Sequence, residues 1–237
     1  MKKYLVGIAA YNEGQKIHRT IQRFNDYGLY DVLLIDDGST DGSLQNAAKE
    51  FPITLIVNAE NRGAGFVTRQ TIDYAKERGY ETVIFVSGND KDDPADVKKF
   101  VTAIEQGFDF VQGSRHLKGG VHAGMPFYRK VATRFIHPFL FSLVTGKKIT
   151  DSTNGFRAVR MSLCKDSRIN LNQEWLDRYE LEPYLFYKAI TLGYKVTEVP
   201  VTKIYPPKNE GYSKMKPVTG WWSILRPLVF LGLRIKK

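Results

Sequence analysis

Polar side chains suited to ligand contacts gather in short clusters along the first part of the chain: Tyr11-Asn12-Glu13, Asp36-Asp37-Gly38-Ser39, Asn61-Arg62-Gly63 and Asn89-Asp90. Carboxylates and amides accept hydrogen bonds from base N–H and ribose hydroxyl groups, so together these clusters can frame a nucleotide. Taken singly, Asp37, Ser39 and Asp41 can equally make a turn and a helix cap. The histidines, His18, His116, His122 and His137, show no metal-ligand spacing, and Cys164 stands alone. A single cysteine excludes an internal disulfide, leaves a cysteine-based zinc site without ligands and fits a reducing compartment.

Each polar cluster follows a short apolar run, and the runs alternate with stretches of helical spacing. The pattern predicts strands over 3–9, 31–36, 53–58, 82–87 and 108–113, with helices over 13–25, 41–50, 65–79 and 94–106. Ser39-Thr40-Asp41 can cap the second helix, and Pro94 suits the first turn of the fourth, where a missing N–H costs nothing. Strands apolar nearly throughout belong in a mostly parallel α/β sheet with helices on both faces. Ligands of such sheets bind at the carboxyl ends of the strands, where the clusters lie. Beyond about residue 114 come a basic Gly-rich turn, a long aromatic helix, a strand over 158–161, a helix over 179–192 and a strand over 194–202. There is no low-complexity linker and no internal repeat, so one domain is expected over 1–215, followed by a basic, aromatic, membrane-proximal segment over 216–237.

The chain carries 35 Lys and Arg against 25 Asp and Glu, a formal charge of +10. This favours an anionic partner: nucleic acid, an acidic membrane surface or phosphorylated small molecules. The basic-then-apolar start resembles a leader, but Tyr11-Asn12-Glu13 cuts it short and it reads as a first strand. No apolar run approaches the roughly 20 residues of a membrane span, so a soluble or peripheral protein is expected. Phe127 to Phe141 and Trp221 to Lys237 mix aromatic, apolar and cationic residues. They suit interfacial helices on acidic lipid, or, for the C-terminal one, packing on the domain or on another subunit.

Ala9-Ala10-Tyr11-Asn12-Glu13 and Ile35-Asp36-Asp37-Gly38-Ser39-Thr40-Asp41-Gly42-Ser43 resemble, in order and separation, the opening of family 2 glycosyltransferases of the GT-A fold. Gly113-Ser114-Arg115-His116-Leu117-Lys118-Gly119-Gly120, Asp151-Ser152-Thr153-Asn154-Gly155-Phe156-Arg157 and Gly211-Tyr212-Ser213-Lys214 are similar to motifs of the dolichyl- and polyprenyl-phosphate sugar synthases, the dolichol-phosphate mannosyltransferase-like branch. The likeness runs over nearly the whole chain. It implies transfer of a sugar from a UDP- or GDP-linked nucleotide-sugar to a dolichyl or undecaprenyl phosphate, with inversion, on the cytoplasmic face of a membrane, as in cell-envelope polysaccharide biosynthesis. A phosphate monoester is ionised at neutral pH and needs no general base. What the reaction needs is positive charge around the acceptor phosphate and at the leaving diphosphate.

By this resemblance Ala9, Tyr11, Glu13, Asp36, Asp37, Arg62, Gly88, Asn89 and Asp90 hold the donor, and Arg115, Arg129 and Lys91 carry catalytic charge. Arg115, Arg129, Thr133, Lys208, Ser213 and Lys214 surround the acceptor phosphate. Thr133 stands where a serine is common and Lys208 where an arginine is usual, which keeps the charge and gives up bidentate binding. Most family members carry Asp-x-Asp after the fourth strand, so that carboxylates hold Mg or Mn against the diphosphate. This chain reads Ser87-Gly88-Asn89-Asp90-Lys91-Asp92-Asp93-Pro94. Three readings stay open: Asn89 and Asp90 hold a metal weakly, Lys91 supplies the cation itself, or binding has outlived activity.

Asn61-Arg62-Gly63-Ala64-Gly65 is no dinucleotide fingerprint, because Thr68 stands at the third glycine. Arg62 there either meets the donor phosphate or belongs to a tight turn. Glu180 and Glu182, two apart on a predicted helix, point to different sides, so at most one faces the site. Rival readings are a family 2 transferase with a saccharide acceptor, using Glu180 or Asp151 as general base, and a non-catalytic binding subunit. Nucleic acid is not the expected partner, since no motif or aromatic platform accompanies the charge. A homo-oligomer or a membrane-subunit partner is left open.

Overall fold

The computed structural model describes residues 3–26, 30–207 and 219–236. The first part of the chain winds as β1 (Tyr4–Ala10), α1 (Gln15–Asp26), β2 (Asp31–Asp36), α2 (Ser43–Glu50), β3 (Thr54–Val57), α3 (Ala64–Glu77), β4 (Thr82–Ser87), α4 (Val97–Glu105) and β5 (Phe110–Ser114). It continues as β6 (Val121–Ala123), α5 (Phe127–Val131), α6 (His137–Thr145), β7 (Arg157–Arg160), α7 (Met161–Cys164), α8 (Leu181–Thr191), β8 (Val196–Pro200), β9 (Thr202–Ile204) and α9 (Thr219–Gly232). The main sheet has the order β3-β2-β1-β4-β7-β5-β8, in which β7 runs against both of its neighbours. The expected α/β architecture, a mostly parallel sheet with helices on both faces, is the one found.

Alternate residues of each strand enter different layers. Leu5, Leu33, Val83 and Phe85 pack with Ile72 of α3 and with Tyr184 and Phe186 of α8. Val6, Ile8, Leu34, Ile84 and Val86 pack with Ile17 and Ile21 of α1 and with Phe100 of α4. Burial on both faces is why these strands read as unbroken apolar runs.

Local chemistry explains the departures from expectation. Gly42, in the left-handed region at φ 68, takes the N-cap of α2 without a side-chain bond. Asp41 still accepts from the Ser43 N–H at 3.0 Å, and the Ser39 hydroxyl turns instead to the Asn12 N–H at 2.8 Å. Pro94 opens a short 3-10 turn ahead of α4, with Asp93 accepting from the Ala95 N–H. The strand expected over 194–202 divides at Val201, whose N–H and C=O bond Ser114 and Val121, turning the chain so that β9 pairs with β6. The long aromatic helix carries a π turn, Ala132–Ile136, between α5 and α6. Pro138 has no N–H to return to the Arg134 carbonyl, and the His137 N–H bonds the Ala132 carbonyl, five residues back.

The C-terminal α9 packs against α6 and α8 and buries Leu228 and Leu231. Trp222 and Val229 on it, and Leu233 just after it, are exposed. Among the described residues no helix is long and apolar enough to cross a membrane.

Candidate active site

The parallel strands β1 to β4 end along one edge, and the loops that follow them converge there. Gly88 lets the end of β4 lie against β1: its N–H donates to the Ala9 carbonyl at 2.8 Å, and a Cβ added to it would stand 2.8 Å from that of Ala10. Asn12, at φ 49, ties the loops after β1 and β2 together, its N–H donating to the Ser39 hydroxyl and its side-chain oxygen accepting from the Thr40 N–H, each at 2.8 Å. Tyr11 is half-buried beside it, and Glu13 is ion-paired with Lys16 at 2.9 Å.

Asp36, fully buried, accepts from the Ser39 N–H at 2.7 Å and from Gln45 at 3.1 Å. Asp37 accepts from the N–H groups of Arg62 and Gly63, at 2.9 and 2.8 Å, and from the Asn61 amide at 2.9 Å. Both carboxylates therefore engage their own loops and fix the backbone that borders the cleft. Arg62 lies over the Phe66 ring at 4.0 Å. Gly63 and Gly65 serve close chain packing, since a Cβ on Gly65 would meet the Leu176 carbonyl at 1.8 Å. The Gly65 and Phe66 N–H groups donate to the Arg178 and Asp177 carbonyls, so the first turn of α3 is closed by backbone rather than open to a phosphate.

The loop after β4 is built differently. Asp90, at φ 58, turns toward α1: its N–H donates to the Thr20 hydroxyl, and its carboxylate accepts from Arg19 at 2.7 Å and Arg23 at 3.0 Å. The Asn89 side-chain oxygen is buried with no hydrogen-bond partner. Among the described residues no three His, Cys, Asp or Glu side chains gather as a metal-holding group. One neutral amide oxygen, beside a carboxylate already held by two arginines, does not fit a divalent ion, whose sites are built on carboxylate oxygens. Asn89 and Asp90, expected as the metal pair, are thus not arranged as one in this structure.

Lys91 follows, only 6% exposed, with its Nζ 5.0 Å from the centre of the Tyr205 ring. Burial, then the nearby Lys203 and Arg129 cations, lower its pKa to about 7 against the pull of Glu13 and Asp92. Lys203, also buried, is ion-paired with Asp92, and the Ile204 N–H donates to the Lys91 carbonyl at 2.9 Å. β9 thus clamps the loop from two sides.

Arg115 is buried and held at every corner of its guanidinium. Nε and one Nη bond the two oxygens of Asp151 at 2.6 and 2.8 Å, the same Nη reaches the Thr153 hydroxyl at 2.8 Å, and the other Nη reaches the Tyr205 hydroxyl at 3.1 Å. Burial opposes the charge, and the Asp151 carboxylate outweighs it, so the pKa of Arg115 stands above its ordinary value. Tyr205 joins this pair to Lys91. Arg129, half-buried on α5, faces the same cluster, while Thr133 sits in the π turn with its hydroxyl 3.3 Å from His116 Nε2. Burial lowers His116 to about 4. Lys208, Ser213 and Lys214 lie outside the described residues.

Glu180 and Glu182 go to opposite sides, as their spacing requires. Glu180 is buried against α9, bonded to the Ser223 hydroxyl and to Arg226 at 2.6 Å. Glu182 comes within 3.5 Å of Arg157, whose Nε and one Nη are buried without partners. Arg157, Lys203 and Tyr205 were not among the residues expected to form the site. Arg157 was legible as the end of the Asp151–Arg157 segment, whereas Lys203 and Tyr205 reach the site only because the chain turns at Val201. With Asp151 bidentate on Arg115 and Glu180 committed to α9, neither carboxylate proposed as a general base is presented to a hydroxyl acceptor.

The chain is similar over most of its length to characterised proteins. It is 27% identical over 220 residues to polyprenol monophosphomannose synthase of Mycolicibacterium smegmatis, covering 90% of this chain and 81% of that one. It is 26% identical over 220 residues to undecaprenyl-phosphate mannosyltransferase of Micrococcus luteus, covering 90% and 87%. In fold it is similar to glucosyl-3-phosphoglycerate synthase of Mycobacterium tuberculosis, solved with Mn2+, UDP and phosphoglyceric acid, at a TM-score of 0.66 and 16% identity over 96% of this chain and 78% of that one. The profile described as Glycosyl transferase family 2 matches residues 5–168, and on that match, carried by a GT-A fold, the chain belongs to glycosyl transferase family 2 and is a glycosyltransferase.

Proposed function

We propose that this glycosyltransferase moves a sugar from a UDP- or GDP-linked donor to the phosphate of a polyprenyl carrier, with inversion, at the cytoplasmic face of a membrane. The observation that carries this reading is the two-sidedness of the helical stretch from Phe127 to Thr145. Arg129 lies near the buried Lys91 and Thr133 is buried with its hydroxyl on His116, whereas Phe127, Phe135, Phe139 and Leu143 stand exposed on its outer side beside Arg134. An isoprenoid tail can stay in the bilayer against that outer face while its phosphate reaches the cations within. The exposed Trp222 of α9 and Leu233 just beyond it, with Arg234 and Lys236 nearby, suit the same surface.

The chemistry follows from charge. An oxygen of the acceptor phosphate attacks the anomeric carbon from the side opposite the leaving group, and the bond from that carbon to the β-phosphate oxygen breaks. The electron pair leaves with the nucleoside diphosphate, and no proton has to move. In this reading Arg129, with Lys208, Ser213 and Lys214, holds the acceptor phosphate, Arg115 positions the site through Asp151 and Tyr205, and Tyr11, Glu13 and the loops built on Asp36 and Asp37 border the donor. The names of the similar proteins support a polyprenyl phosphate acceptor, and the engagement of Asp151 and Glu180 disfavours a saccharide one.

The test is transfer of radiolabelled sugar from a panel of UDP- and GDP-sugars to a short polyprenyl phosphate and to saccharide acceptors. Lipid-linked product is expected, and Arg129→Ala should raise the acceptor KM by about tenfold or more with the donor KM little changed, as for loss of one charge-assisted contact. Product on saccharides alone would overturn the reading.

A further inference from the structure

We infer that Lys91, set in place by Lys203 and Tyr205, does the work of a divalent ion in this protein and binds the diphosphate of the nucleotide donor directly. The inference rests on the transferase reading and concerns how the same site handles its leaving group.

Three observations converge on it. The residues where a metal would be held do not fit one: position 87 is serine, position 89 is an amide, and the Asp90 carboxylate is bound to Arg19 and Arg23 on α1. The next residue is a buried lysine at the carboxyl end of β4, on the edge where such sheets receive ligands. That ammonium is held rather than loose, since its backbone carbonyl is bonded by the Ile204 N–H, Tyr205 packs beneath it, and the Lys203–Asp92 pair bridges the loop to β9. A preorganised cation in a water-poor site stabilises developing negative charge without reorganising when the charge appears.

Charges of both signs act on Lys91. Lys91, Lys203 and Arg129 stand against Asp92 and Glu13, and Glu13 is itself paired with Lys16. The mutual repulsion of these cations is what an entering diphosphate would relieve, and the Asn89 oxygen, buried without a partner, offers an acceptor for a donor hydroxyl beside it. During transfer the bond from the anomeric carbon to the β-phosphate oxygen breaks, its electron pair settles on that oxygen, and the Lys91 ammonium donates a hydrogen bond to it. The new bond is made by the acceptor phosphate oxygen, so atoms and charge balance with no metal in the step.

Calorimetric titration of the full-length protein with UDP and with GDP, in EDTA and in Mn2+, tests this without any turnover. One of the two is expected to bind in EDTA within about threefold of its affinity in Mn2+. Lys91→Gln should weaken that binding roughly 10- to 100-fold, as for loss of one charge-assisted hydrogen bond, while changing the affinity of the matching nucleoside little. Lys91→Arg should retain most of it, and melting curves show whether each variant is folded. Binding at least tenfold tighter in Mn2+ than in EDTA, or a Lys91→Gln protein that binds like the wild type, would overturn the inference and leave the transferase reading standing. No binding of either nucleotide in any condition would overturn both.

Discussion

Two corners of the same sheet edge treat polar groups in opposite ways. Where β2 and β3 end, Asp36 and Asp37 are buried and their carboxylates are met by backbone N–H groups and side-chain amides. Where β4 ends, an amide oxygen is buried without a partner, a lysine is buried between two other cations, and Asp90 holds a left-handed backbone. The first corner keeps its shape with nothing bound. The second gathers cations on the sheet edge where ligands of such folds bind, and backbone strain and unsatisfied groups of this kind concentrate where ligands act. The two corners lie side by side, separated by the width of two strands.

The sharpest way to break this comparison is at Asp37. Replacing it with alanine leaves the buried Gly63 N–H without an acceptor and removes the carboxylate bonds of the part-buried Arg62 N–H and Asn61 amide. Stranding a buried donor costs about 1–3 kcal/mol, and a hydrogen bond to a charged group is worth about 1.5–3 kcal/mol, so Asp37→Ala should lose roughly 3–5 kcal/mol in a urea unfolding experiment. Asp37→Asn, which keeps one acceptor oxygen, should recover part of that. A stable Asp37→Ala protein whose only defect is nucleotide affinity would mean that Asp37 is a ligand contact after all, as the motif resemblance implies.

A third place, the joint between α6 and α9, follows the rule of the first corner and carries a pH signature. His137 is buried, with Nδ1 2.7 Å from the Ser152 hydroxyl and Nε2 3.2 Å from the Ile224 carbonyl. Burial, only partly offset by that carbonyl and by Asp151, lowers its pKa from 6.5 to about 4. The unfolded chain therefore takes up this proton first as pH falls. The contribution is complete above about 6.5 and is lost progressively toward about 4, amounting to at most about 3 kcal/mol. His116, lowered by burial to about 4, adds a slope of the same sign. The difference between wild type and His137→Gln, followed by urea unfolding from pH 7.5 down to 4.5, isolates the share of His137. Parallel curves would remove His137 from the set of framework groups.

How far the sequence reads true depends on the same distinction. Of the five parallel strands of the first part, β1, β2 and β4 were legible because burial on both faces makes each a nearly unbroken apolar run, and β3 and β5, the one with Thr54 and Val57 exposed and the other with Gln112 and Ser114 inside, were legible from the alternation of apolar runs with helical stretches. The small β6–β9 sheet was not. Its strands are three residues each, Val121 and Ile204 are exposed, and the pairing joins parts of the chain far apart in sequence. The sequence singles out the aspartates at the end of β2, but residue type says nothing of what stands opposite. Only the fold shows that Asp37 faces the Arg62 and Gly63 backbone, or that the Arg115 fork is closed by Asp151. Lys91 is the reverse case, marked by the sequence only as a departure from Asp-x-Asp, with its Lys203 and Tyr205 neighbours supplied by a turn at Val201 that Pro200 alone signals.

The smallest expected effect on stability is the one that sharpens the comparison most. If Lys91 holds charge for a ligand, the apo protein gains nothing from it, because burial and two neighbouring cations already work against its ionisation. Methionine has a similar length and no charge, and exchanging a poorly compensated buried ion for an apolar group of like volume is often neutral or stabilising. Lys91→Met should therefore unfold within about 1 kcal/mol of wild type, or slightly above it, in the absence of nucleotide. The stabilisation that bound nucleoside diphosphate confers on the wild-type melting curve should largely disappear in the same variant. A loss of stability comparable to that of Asp37→Ala would place Lys91 with the framework, through its contacts with Tyr205 and the Asp92 loop, and the contrast between the two corners would no longer hold.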